Sequence, residues 1–207
     1  MLTPEEHKEM ERLKAESEIN LRNKLAVERT EHRKKTWQQI VGELYAEEFD
    51  AAKSSMEPAK LSQILEFPSK GKGLCVIGES RRGKSRACFH RLRDFYLDDY
   101  LSIKCVTGIE FATKASAAFK DPAKTQAWLL EFSSPSLLYI DDFGKRFNIT
   151  TAEALHEIFE ERCKTRKPTW LSTNLTSELI KKLLKDEPHL ANSLIERIKE
   201  FCDVVVL

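Results

Sequence analysis

Eight consecutive residues, Gly78-Glu79-Ser80-Arg81-Arg82-Gly83-Lys84-Ser85, are of the types needed to hold a chain of phosphates. Gly78 and Gly83 lack a Cβ, which lets main-chain N–H groups wrap closely around phosphate oxygens. Lys84 supplies an ammonium that can reach the outer phosphates, and the Ser85 hydroxyl can ligate Mg²⁺. Glu79, Ser80, Arg81 and Arg82 fill the loop and lend their amides to the same cradle. Leu74-Cys75-Val76-Ile77, just before the loop, reads as a short strand, and residues 85–96 after it read as a helix. A helix starting near Lys84 points the positive end of its dipole at the same anion. The alternative is a plain glycine-containing turn, and the strand before and the helix after argue against it.

A second acidic pair comes in the right order. Leu137-Leu138-Tyr139-Ile140 reads as a buried parallel strand, and Asp141-Asp142-Phe143-Gly144 follows. Open α/β sheets place their ligands at the carboxyl ends of strands, which is where these two acids fall. Asp141 suits the metal shell, and Asp142 suits orienting or activating an attacking water. Residues 169–174, Thr-Trp-Leu-Ser-Thr-Asn, make a third short strand ending in polar residues. Asn174 could hold that water or the terminal phosphate. It could also cap the next helix, although Thr176 is better placed for the cap. Near the end, Leu194, Ile195 and Ile198 form a core-facing helical stripe, and Arg197 falls off it. Arg197 could project to a neighbouring subunit or simply face solvent.

The order of these four segments resembles the AAA+ ATPases of the DnaC/IstB type, which are replicative helicase loaders and ATP-dependent helpers of transposases. Residues 158–162, Ile-Phe-Glu-Glu-Arg, also look like the family's stretch between its second and third motifs. The likeness spans about residues 58–207. It implies a P-loop αβα sandwich with a five-stranded parallel sheet in the order 5-1-4-3-2. By this resemblance ATP and Mg²⁺ are the cofactors, and Lys84 and Ser85 form the Walker-A pair. Asp141 and Asp142 form the Walker-B pair, Asn174 is sensor 1, and Arg197 is an arginine finger acting in trans. The resemblance further implies self-association through the ATP site, a replicative helicase as partner, and single-stranded DNA contacts near Lys114, Lys120 and Lys124. Ten residues follow Arg197, so no C-terminal helical lid is expected. The chain departs from the family at Arg81, Arg82, Asp142 and Ser193. Arg81 falls where a positive φ is wanted, and Asp142 stands where a glutamate is common. The isolated monomer, lacking its neighbour's finger, is expected to turn over weakly. With these departures a nucleotide-binding interaction module with little hydrolysis stays open. So does a transposition helper, because it shares the same motifs.

Positioning these groups requires alternating strands and helices, and the chain is long enough for one such domain plus an appendage. Of 207 residues, 41% are hydrophobic and 32% charged, with a net charge of +1. No apolar run approaches a membrane span, and the charged start does not resemble a secretory signal, so a cytoplasmic setting is expected. Five cysteines with no C-x-x-C pair read as small buried hydrophobes. Through position 58 there are 10 basic and 13 acidic residues, against 24 and 20 afterwards. The division expected is an N-terminal helical extension at 1–57 and the ATP-binding domain at 58–207. Thr3-Pro4-Glu5-Glu6 opens a helix by cap, proline and acid. The charged stretch to about Lys35 makes a poor coiled coil and reads as a solvated helix. Trp37, Ile40, Val41, Leu44 and Tyr45 then line one apolar face, either for docking a partner or for packing on the chain's own domain. Leu61 to Leu65 is placed near the adenine pocket by the same resemblance.

Overall fold

The computed structural model describes residues 4–47, 49–50, 54–98 and 101–207. Five strands form one sheet: β1 (Gly73–Ile77), β2 (Ile103–Thr107), β3 (Leu137–Phe143), β4 (Thr169–Thr173) and β5 (Cys202–Val206). Their order is β2-β3-β4-β1-β5, and every neighbouring pair is parallel. This is the expected 5-1-4-3-2 arrangement read from the other edge. Parallel neighbours need crossovers, which helices supply. They are α4 (Lys84–Leu97), α5 (Gly108–Ala118), α6 (Pro122–Ser133), α7 (Ile149–Lys164), α8 (Ser177–Leu183) and α9 (Pro188–Phe201). Before the sheet run α1 (Pro4–Val41), α2 (Glu43–Ala46) and α3 (Pro58–Leu65).

Local chemistry sets the helix starts. Thr107, Asp121, Asn148 and Thr176 each accept a main-chain N–H at the head of α5, α6, α7 and α8. Thr176 is thus the cap, as its position suggested, and Asn174 is not used for that purpose.

Two apolar clusters cover the two faces of the sheet. One joins Phe111, Trp128, Phe132, Leu155, Ile158 and Leu194 from α5, α6, α7 and α9 to Leu138, Ile140 and Leu171. The other joins Leu61 and Ile64 of α3 and Leu92 and Phe95 of α4 to Leu74, Tyr139 and Trp170. Leu61 and Ile64 are therefore core residues. A division at residue 57 is a proposal about organisation. Across it, Trp37 and Met56 belong to the same cluster as Leu61 and Ile64.

The first helix has two regimes. Its described side chains from 12 to 32 are all exposed, and they carry short-range pairs such as Arg12–Glu16 at 3.2 Å. Surface pairs of this kind contribute little, so this stretch fits the solvated-helix reading. Further on, the Arg33 guanidinium lies 4.1 Å over the Tyr96 ring and donates to the Tyr96 carbonyl. Trp37 packs against the same ring at 5.4 Å.

One buried cation anchors the opposite end of the sheet from the loop of residues 78–83. Arg162 on α7 is 1% exposed. Its guanidinium donates to the carbonyls of Phe132 (3.0 Å), Ser133 (3.3 Å), Pro135 (2.9 Å) and Pro168 (2.7 Å), and to Thr169 Oγ1 (2.9 Å). Burial pushes it down to about 10, still well above neutrality, so it remains a cation inside the protein. It ties the connector leaving α6 to the start of β4.

Candidate nucleotide-binding site

The loop from Gly78 to Gly83 leaves the carboxyl end of β1. It is anchored behind, where the Gly78 N–H donates to the Thr173 carbonyl at 3.0 Å. Gly83 caps α4 in the left-handed region, at φ 84. Arg81 also takes a positive φ, 65, the strained conformation its position suggested. The Lys84 ammonium folds back onto the Gly78 and Glu79 carbonyls at 2.7 and 2.8 Å. Burial lowers its pKa, while Asp142 and Asp141 pull the other way. A cation held only by carbonyls at the mouth of a helix N-terminus is set to transfer to an anion. A cleft of about 570 Å³ opens above it, lined by Ser80, Arg81, Arg82, Gly83, Lys84, Ser85, Arg86, Asp142 and Lys145, and by Leu44 and Tyr45.

Asp141 lies beneath the cleft. Its Oδ1 accepts from Ser85 Oγ at 2.7 Å, from the Tyr139 hydroxyl at 2.7 Å and from Ser172 Oγ at 2.6 Å. The strand register explains how adjacent acids serve one site. Ile140 pairs with Leu171 but Phe143 pairs with Thr173, so β3 carries one extra residue between them. That bulge, with Asp142 at φ 52, breaks the usual alternation of faces. Asp142 lines the cleft and pairs with Lys145 at 2.7 Å. Ser172 closes the arrangement, since its Oγ also accepts the Asp142 N–H at 2.9 Å.

The donor set suits Mg²⁺. A hydroxyl and a carboxylate oxygen, both hard ligands, stand 2.7 Å apart beside the cradle. Mg²⁺ is commonly held by one or two carboxylates together with substrate phosphates. Ser85 and Asp141 would hold it, and Asp142 faces the same cleft.

The other expected residues are less concentrated. Asn174 directly follows β4, and its Oδ1 lies 3.2 Å from where a Cβ on Gly144 would stand. This puts it at the rim of the Asp142 turn and outside the cleft lining. Arg197 is held on α9 by Glu160 (2.6 Å) and Glu200 (2.8 Å). It precedes β5 by a few residues, so it stands at the end of the sheet opposite the loop. Lys114 pairs with Glu131 (2.8 Å) and Glu110 (3.1 Å), and Lys124 with Asp121 (3.6 Å), while Lys120 is exposed. The first two are already neutralised by local acids. The apolar stripe divides: Trp37 is 1% exposed and Tyr45 stacks on Phe89 at 4.4 Å, whereas Ile40 and Leu44 stay exposed and Val41 is half-buried. Trp37 is thus closed to a partner.

Three site residues escape a motif reading: Tyr139, Ser172 and Lys145. Tyr139 is two positions before Asp141, on the same face of its strand, and Ser172 is a small polar residue within a buried strand. Gly108 is a further support. A Cβ there would lie 2.5 Å from the Asp142 carbonyl, a contact no relaxed structure keeps. Gly108→Ala should therefore shift the Asp142 turn, costing about 1–3 kcal/mol of stability and roughly tenfold in nucleotide affinity, read by thermal unfolding and nucleotide titration.

No family model matches the sequence, and no curated protein matches it. Solved structures do. DnaI is 19% identical with a TM-score of 0.59, covering 77% of this chain and 87% of that one. The DnaC helicase loader is 16% identical with a TM-score of 0.55, covering 84% and 99%. The chain shares its fold with DnaI and the DnaC helicase loader. The replication initiator DnaA bound to AMPPCP and single-stranded DNA is also similar, at 16% identity and a TM-score of 0.53, covering 72% of this chain and 44% of that one. Among the described residues, no helix is long and apolar enough to cross a membrane.

Proposed function

We propose that this chain is an ATP- and Mg²⁺-dependent AAA+ ATPase acting as a helicase loader in DNA replication. It binds ATP at a subunit interface and couples that binding to a helicase or to single-stranded DNA. The observation that carries the reading is the cluster at one cleft: Lys84 on loop carbonyls, with Ser85 and Asp141 bonded to each other 2.7 Å apart. In the proposed reaction Lys84 moves from those carbonyls to the outer phosphates, and Asp142 orients the attacking water. Asn174 steadies that water or the terminal phosphate, and Arg197 arrives from the neighbouring subunit. Ser85 and Asp141 would hold Mg²⁺, which would supply positive charge against that developing on the phosphates. Replication is favoured by likeness to DnaI, the DnaC helicase loader and the initiator DnaA.

The direct test is titration of Mg²⁺ with a fluorescent ATP analogue against the wild type and Lys84→Ala. Losing two charge-assisted hydrogen bonds, at about 1.5 kcal/mol each, weakens binding about 100-fold. Equal affinities would overturn the reading. A nucleotide-gated module with slow turnover is the second reading, favoured by the Asp142–Lys145 pair at 2.7 Å, which holds the water-activating acid on a cation. Single-turnover hydrolysis in the assembled state separates the two. The loader role itself is tested by capture of a purified replicative helicase through the N-terminal helix.

A further inference from the structure

The cleft is not lined by the nucleotide-binding loop alone. Leu44 and Tyr45 of α2, from the N-terminal segment, also line it. Gly42 separates α2 from α1 with φ 80, a conformation suited to glycine. The turn it makes brings α2 across the first turns of α4. There the Tyr45 ring stacks on Phe89 at 4.4 Å, and Glu47 lies 3.9 Å from Arg86. Tyr45 shares the cleft wall with Ser85 and Asp142, and Asp141 lies beneath it. Burial first, and then the two carboxylates, raise its pKa, so it stays neutral.

We propose that Tyr45 plugs the metal side of the nucleotide site, so that Mg²⁺-nucleotide and the α2 segment compete for the space beside Ser85. This rests on the nucleotide reading above and adds a connection to it. The Ser85 hydroxyl, bonded to Asp141, marks where the metal would sit, and an ion there with its phosphate and water ligands needs the room that Tyr45 takes. Tyr45 brings no positive charge to the two carboxylates, whereas a divalent cation brings two, so the ion wins once phosphate accompanies it. Displacing Tyr45 frees α2, and Gly42 lets it move without unwinding α1. The N-terminal helix, whose C-terminal end rests on Tyr96, then reports the state of the site to whatever it holds.

Two measurements on the full chain test this, using the fluorescent ATP analogue with and without Mg²⁺. Tyr45→Ala should bind the Mg²⁺ complex about tenfold more tightly than the wild type. Tyr45→Phe, which keeps the ring on Phe89 and loses only the hydroxyl, should gain about threefold. In hydrogen exchange, the amides of residues 43–47 in the wild type should open on adding the Mg²⁺ complex and stay protected with the analogue in EDTA. Unchanged or weaker binding by both variants, or unchanged or increased protection of 43–47, overturns the plug. If the wild type and both variants bind no nucleotide while Lys84→Ala matches them, the nucleotide reading falls and takes this one with it. If the wild type binds and Lys84→Ala does not, only the plug is at stake.

Discussion

Arg197→Ala should leave nucleotide affinity near that of the wild type while cutting turnover of the assembled protein about a thousandfold. The geometry keeps Arg197 away from its own chain's cleft. All five strands are parallel, so the loop leaves β1 at one end of the sheet, and α9 delivers Arg197 to the other end just before β5 begins. Within its own chain Arg197 is engaged by Glu160 and Glu200, and the Glu200 pairing raises its pKa further, so it stays charged. A charge with two acids to hold its direction, set away from its own chain's cleft, can serve a neighbour's. Mixing tests this directly. Lys84→Ala and Arg197→Ala should each be inactive alone. Combined, they should regain part of the wild-type rate, because an intact Arg197 on one subunit then meets an intact loop on the next. No recovery on mixing, or an Arg197→Ala rate equal to wild type in every assembly, defeats the trans role.

The sequence made the frame of this site readable because its demands are local. A loop that wraps phosphate needs glycines at fixed places, so Gly78 and Gly83 stand out, and Arg81 at φ 65 shows the conformation its neighbours impose. Strand ends could be found because apolar runs stop at polar residues, which located Asp141, Asp142 and Asn174. What stayed hidden depends on register between distant strands. Ser172 reaches Asp141 across 31 residues, and only the pairing of β3 with β4 brings it there. The bulge that lets Asp141 and Asp142 share a site comes from that pairing too. The apolar stripe at 37–45 showed that something must cover it, but periodicity does not choose between self and partner. Trp37 against Tyr96 and Tyr45 against Phe89 decide it for the inward half. Tyr45 beside Ser85 could not be read from spacing at all, because the segment folds back through a turn at Gly42.

Arg162 supplies the second large effect, and it is one of stability. Arg162→Met should destabilise the fold by about 3–5 kcal/mol, from leaving buried carbonyls without a donor at about 1–3 kcal/mol each. For a chain of this size that corresponds to a fall in Tm of roughly 10–15 °C. Methionine fills much of the volume, so the effect comes mainly from carbonyls left without donors. The Phe132 and Pro135 carbonyls accept from this guanidinium, whereas those of Ser133 and Pro168 also have Lys167 Nζ and the Leu138 N–H. Arg162→Lys separates charge from shape. Lysine keeps the cation but cannot span the α6 connector and the β4 start with a planar fork, so it should recover less than half of the loss. A Tm within about 3 °C of wild type for Arg162→Met would show that solvent satisfies those carbonyls and that the fork is dispensable. The consequence reaches the site because β3 and β4 are fixed relative to each other at both ends. Arg162 holds the end where the α6 connector meets β4, and Ser172 on Asp141 holds the end at the cleft. Loosening the first should lower the cooperativity of unfolding and weaken nucleotide binding together, although Arg162 is not among the residues that line the cleft.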